Sequence, residues 1–248
     1  MAAPGKKTRC KRVTDSPTNR LHADSVSFAD GEGLAAALAA RVADDLRAAI
    51  AERGSAVLAV SGGTTPKRFF EHLSQQPLDW DKVNVTLVDE RWVGPDHDRS
   101  NARLVRQTLL QEAAAAATFV PLYRDTPEPE AALPELERRL DSLPADFDVM
   151  VLGMGADGHT ASFFPGGDYL AAALDPEGSA RLLPMRAPGA GEPRITFTLP
   201  VLRAARHVYL HIEGAQKRAV LEDALAGADL PIRTVFEQAP ATTVYLTA

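Results

Sequence analysis

Cysteine is nearly absent: Cys10 stands alone in 248 residues, so no internal disulfide is available and catalysis through that thiol is not expected. No His/Cys spacing resembles a metal site. Both absences point to a reducing compartment, by default the cytoplasm. Positive charge is also in deficit, with 27 Lys and Arg against 33 Asp and Glu and a formal net charge of -6. Such a chain has no general basic face with which to displace counterions from nucleic acid, so no nucleic-acid partner is expected, and an anionic ligand must meet a local cluster of cations. Long apolar runs are missing as well. Val83 to Val88 and Val149 to Met154 are strand-length and far below the roughly 20 residues that cross a bilayer, so no membrane partner is expected either.

Residues 1–24 carry Lys6, Lys7, Arg9, Lys11 and Arg12 but lack the apolar segment of a secretory signal, and Asp15 and the prolines count against a transit peptide. They read as a flexible, solvated tail, with 25–248 as one domain. That domain has ordinary globular composition, 45% hydrophobic and 24% charged over the whole chain, enough to build its own core.

Periodicity then organises the chain. Leu34, Leu38, Val42, Leu46 and Ile50 predict an amphipathic helix over 33–53, with Gly54 as its C-terminal stop. A strand over 56–60, a tight loop and a helix over 67–73 follow. The unit recurs as a buried strand over 83–88, a loop over 89–99 and a helix over 100–110 with Ser100 as N-cap. Beyond it come a helix over 128–140, a strand over 147–152, strands over 194–199 and 207–212, a helix over 215–225 and a last strand over 242–246. Such alternation predicts an α/β fold with helices on both faces of a sheet, and a ligand crevice at the carboxyl ends of its strands.

Four segments there could carry chemistry. Ser61-Gly62-Gly63-Thr64-Thr65-Pro66 joins strand to helix, where backbone N–H groups and hydroxyls favour an anion; equally, it is a tight turn with a capped helix. It lacks the Gly-Lys-Ser/Thr ending of a nucleotide loop and suits a phosphate monoester better. Asp89-Glu90-Arg91, followed by His97, Arg99, Ser100 and Asn101, sits either in the crevice or on a solvated rim. Gly153 to Ser162 presents Asp157 and His159 two residues apart on a glycine-rich loop. His159 can act as base and then acid with a carboxylate orienting its ring, or simply bond the loop backbone. The other histidines, His22, His72, His97, His207 and His211, show no comparable setting. Arg194 and Lys217 are surface charges taken singly, and a phosphate clamp if brought together.

In this order, Ser-Gly-Gly-Thr-Thr-Pro, Asp-Glu-Arg-Trp-Val, Gly-Met-Gly-Ala-Asp-Gly-His-Thr-Ala-Ser-Phe-Phe-Pro-Gly, Pro-Arg-Ile-Thr-Phe-Thr and Gly-Ala-Gln-Lys resemble the 6-phosphogluconolactonases of the glucosamine-6-phosphate isomerase/6-phosphogluconolactonase family, over roughly residues 25 to 248. The resemblance implies a three-layer α/β/α sandwich around a mainly parallel, Rossmann-like sheet, as in glucosamine-6-phosphate deaminase. It implies hydrolysis of 6-phospho-D-glucono-1,5-lactone in the oxidative pentose phosphate pathway, without metal or cofactor, by a monomer or weak homodimer whose partner is the small sugar phosphate. Ser61, Gly62, Gly63, Thr64, Thr65, Arg194 and Lys217 would hold the phosphate. Asp89, Arg91, Asp157 and His159 would surround the reacting ring, with His159 as base and Arg91 facing the developing charge. Phe163 replaces the family's usual leucine, an apolar exchange. Phe163, Phe164 and Pro165 stand where the deaminases place a glutamate, which favours the lactonase. A non-catalytic sugar-phosphate sensor would carry a helix-turn-helix, for which residues 1–25 are too short.

Overall fold

The computed structural model describes residues 24–144, 146–239 and 242–247. Cys10, His22 and the tail expected over 1–24, save Asp24, lie outside the described residues. Seven strands form one parallel sheet: β1 (Asp24–Phe28), β2 (Ala56–Val60), β3 (Val83–Leu87), β5 (Thr118–Val120), β6 (Val149–Leu152), β9 (His207–Ile212) and β10 (Thr243–Thr247), in the order β1-β10-β9-β6-β2-β3-β5. Every residue of β2 and β6 is buried, as required of central parallel strands covered on both faces. The helices are α1 (Gly31–Arg53), α2 (Lys67–Ser74), α3 (Asn101–Thr108), α4 (Pro129–Leu140), α5 (Leu170–Ala173), α6 (Leu199–Ala204), α7 (Ala215–Ala226) and α8 (Pro231–Gln238). Among the described residues, no helix is long and apolar enough to cross a membrane.

The longest helix shows how the sequence dictates its element. Leu34, Leu38, Val42 and Leu46 are fully buried along one stripe of α1. Asp30 starts the helix by accepting from Gly33 N at 2.8 Å, and Gly54 ends it at φ 82°, a left-handed conformation that glycine adopts without strain.

Departures from the sequence reading gather at a second, three-stranded antiparallel ladder, β4 (Asp89–Arg91), β8 (Arg194–Phe197) and β7 (Leu182–Met185), in the order β4-β8-β7. The loop expected over 89–99 therefore opens with a strand, and the strand expected over 194–199 belongs to this ladder and not to the parallel sheet. Its charges disguise β4, yet Asp89 is 5% and Glu90 0% exposed, because the fold supplies each carboxylate with donors.

Candidate active site

The chain runs outward from β2 through β3 to β5, then returns to β6 on the other side of β2. The crevice of an open α/β sheet forms at this reversal. Here Ser61 N donates to Val151 O at 2.9 Å, drawing together the loops that follow β2 and β6. Four adjacent strands, β9, β6, β2 and β3, thus deliver His211, His159, the Ser61–Pro66 loop and Asp89 to one rim.

The loop after β6 is built around its imidazole. Gly155 N donates to His159 O at 2.8 Å, Thr160 Oγ1 donates to Gly153 O at 2.7 Å, and Ala161 is held at φ 50°. That left-handed alanine is strained by about 1–3 kcal/mol, the kind of local cost found at functional loops. His159 Nδ1 lies 2.5 Å from Asp157 Oδ1, so the orienting carboxylate is the near one. A carboxylate only accepts, so Nδ1 is the donor in this hydrogen bond and Nε2 is the ring nitrogen left to exchange a proton. Burial works against the Asp157 charge, but the His159 charge and hydrogen bonds hold its carboxyl below the usual range. The imidazole stacks on Phe164, with ring centroids 4.1 Å apart, and the Arg194 guanidinium lies 5.3 Å from that same ring. A methyl group at Gly155 would overlap both the imidazole and the Asp157 carboxylate. Gly155→Ala is therefore expected to lower kcat at least tenfold with little change in melting temperature, read by kinetics and thermal unfolding side by side.

Glu90, which the sequence reading passed over, anchors the opposite wall. Its carboxylate accepts from Arg91 N at 2.7 Å, Asn101 N at 2.8 Å, Ala102 N at 2.8 Å and Ser100 Oγ at 3.1 Å. Burial pushes its carboxyl up, and the backbone donors oppose this. This knot closes the 91–100 loop and fixes the start of α3 beside β4. Asn101 Nδ2 donates to Asp89 O at 2.9 Å, and its Oδ1 abuts Gly62, where no side chain would fit. Ser162 Oγ donates to Asp89 Oδ2 at 2.7 Å, joining this wall to the His159 loop. Arg194 faces Arg91 in register across β4 and β8. It is 5% exposed, and burial lowers its basicity while Asp89 opposes that.

The far wall is the first turn of α7. Lys217 Nζ donates to Thr65 Oγ1 at 3.2 Å, and burial lowers the ammonium's basicity against the pull of Glu213. His211, given no special setting by the sequence, is 2% exposed, lines the cavity and lies 3.1 Å from Glu213. The signal available in the sequence was its place at a strand end, two residues before Glu213 and six before Lys217. His72, His97 and His207 do not line the cavity.

One cavity of about 200 Å³ collects Ser61 to Thr65, Asp89, Arg91, His159, Arg194 and Lys217, together with Asn101 and His211; Asp157 stands behind His159. Three cations against one carboxylate supply the local positive site that an acidic chain needs for an anion. Among the described residues, no group of three His, Cys, Asp or Glu side chains is placed to hold a metal ion.

A family model described as glucosamine-6-phosphate isomerases/6-phosphogluconolactonase matches residues 29–245. The chain belongs to this family. Among the similar proteins of the glucosamine-6-phosphate isomerase/6-phosphogluconolactonase family, a 6-phosphogluconolactonase of Mesorhizobium japonicum is 56% identical over 86% of this chain and 90% of its own. One from Rhizobium meliloti is 54% identical over 86% of this chain and 93% of its own. A crystal structure of a 6-phosphogluconolactonase from Shewanella baltica superposes with a TM-score of 0.87 at 40% identity, covering 90% of this chain and 97% of that one. Family membership accounts for the mainly parallel sheet with its helical layers. Phe163 is fully buried and does not line the cavity.

Proposed function

We propose that this chain hydrolyses 6-phospho-D-glucono-1,5-lactone to 6-phospho-D-gluconate without a metal, by water attack assisted by His159. The observation that carries the reading is that an Asp157-oriented imidazole and a Lys217–Thr65 cationic end open into one cavity. The similar proteins named 6-phosphogluconolactonase support it.

A δ-lactone is a cyclic ester, so its hydrolysis needs a base for water, donors for the carbonyl oxygen as it becomes an oxyanion, and an acid for the leaving ring oxygen. His159 Nε2 takes a proton from water as the new C–O bond forms at the lactone carbonyl. Arg91 holds the developing oxyanion, with Asp89 against the ring. Collapse of that intermediate breaks the bond to the ring oxygen, which takes the proton back from His159. Asp157 keeps Nδ1 protonated and stabilises the transient imidazolium. The Ser61–Thr65 loop, at the positive end of α2, holds the phosphoryl group with Arg194 and Lys217 and so fixes the ring against His159.

The test follows lactone consumption above its spontaneous background, with ammonia release from glucosamine 6-phosphate run in parallel. Acceleration of lactone opening with no ammonia is the expected result. Ammonia release without lactone acceleration would reverse the assignment.

A further inference from the structure

A buried imidazole at the end of β9 has no part in the chemistry above. His211 is 2% exposed and lines the cavity beside Thr65 and Lys217. Its Nε2 is 3.1 Å from Glu213 Oε1, and its Nδ1 is buried with no hydrogen-bond partner among the described residues. Since Glu213 only accepts, Nε2 carries the proton and Nδ1 is a bare lone pair. Glu213 faces the ring from the β9–α7 turn, Lys217 from the first turn of α7 and Arg68 from α2, where Phe69 packs edge-on at 6.2 Å. From β10 comes uncharged Tyr245, its register partner. Glu213 also reaches Arg68 at 3.9 Å. One carboxylate and two cations therefore flank a neutral ring that has an unused acceptor.

We propose that His211 is the proton acceptor of the phosphoryl pocket: neutral in the free protein, it takes one proton from solvent when a phosphate monoester dianion binds beside Thr65 and Lys217. The inference rests on the reading that the phosphoryl group binds at this end of the cavity. The only bond formed is N–H at Nδ1, and the added positive charge meets the two negative charges brought by the ligand.

Magnitudes favour the exchange. Burial pushes the free imidazole down to about 4; Glu213 opposes this, and Lys217 and Arg68 add to it. At an effective dielectric of about 20, two negative charges at roughly 6 Å raise a titration on the order of 4 pH units, of which the adjacent cations take back a part. An upward shift of that order brings His211 into the neutral range. Affinity for the dianion then falls as pH rises, by up to about tenfold per pH unit between the free and bound titration points.

The test is calorimetry of 6-phosphogluconate binding at pH 7 in two buffers of different ionisation enthalpy; there the phosphoryl group, with a second pKa of about 6, is already mostly a dianion. Net uptake approaching one proton is expected for the unaltered chain and for His159→Gln, and almost none for His211→Gln. Uptake that persists in His211→Gln, is absent from the unaltered chain, or is lost in His159→Gln alone overturns the proposal. Should His211→Gln fail to fold, histidine-labelled nitrogen NMR of the unaltered chain decides: Nδ1 of His211 gains a proton on ligand addition, and an unchanged signal overturns the proposal. Lys217→Ala separates the two readings. Undiminished affinity in that variant removes the phosphoryl group from this end and the proposal with it, whereas weakened affinity without proton uptake in the unaltered chain defeats the proposal alone.

Discussion

Replacing His159 with Ala is expected to lower kcat for lactone hydrolysis by about 10² to 10⁴, the usual worth of a positioned general base. Binding of 6-phosphogluconate should change little, because Lys217, Thr65 and Arg194 remain in place. The geometry separates these effects: His159 is held by Asp157 and by its stack on Phe164 and makes no bond to Lys217 or to the Ser61–Thr65 loop. Asp157→Asn should produce a smaller loss. An amide can donate to Nδ1 and shift the proton to Nε2, removing the acceptor in part of the population. His159→Gln controls for the loss of the flat group above Phe164. Stopped-flow hydrolysis rates, corrected for spontaneous opening, give kcat, and calorimetry gives affinity. Near-normal turnover in His159→Ala would end its role as base.

How legible the site was depended on whether a residue's meaning is local. The stripe of Leu34, Leu38, Val42 and Leu46 has helical period in the sequence and on α1 alike, and the apolar runs of β2 and β6 could only be buried strands. Asp157 and His159 are two residues apart, so their pairing was readable without a fold. β4 was not readable, because Asp89-Glu90-Arg91 looks like a solvated loop until Ser162, Asn101 and Ala102 arrive from elsewhere to satisfy its carboxylates. His211 was hidden for the same reason. A histidine in a strand is ordinary; Glu213 stands two residues on, but only the packing of α2 and α7 places Arg68 and Lys217 around the ring. β1 escaped notice because Asp24–Phe28 is an exposed edge, drawn into the sheet only by its parallel partner β10.

Lys217→Ala is expected to weaken binding of 6-phosphogluconate by about 10- to 150-fold, the equivalent of a charge-assisted hydrogen bond worth about 1.5–3 kcal/mol. Arg194→Ala should lose at least as much affinity but carry a different stability signature. Lys217 sits in the first turn of α7, half-buried, and among the described residues its ammonium bonds Thr65 alone, so its removal leaves the fold intact. Arg194 is buried, donates from Nη2 to Ala190 O at 2.6 Å and lies over Phe164. Truncating it leaves the nearby Asp89 carboxylate without its compensating cation and opens a void under Phe164, so Arg194→Ala should also lower the melting temperature. Arg194→Lys keeps the charge but not the planar fork, and should recover stability better than affinity. Both losses should shrink as ionic strength rises, since part of each is charge attraction that salt screens in the unaltered chain too. Unchanged affinity in Lys217→Ala and Arg194→Ala alike would place the phosphoryl group elsewhere, leaving His159 facing a cavity with no means of orienting the lactone.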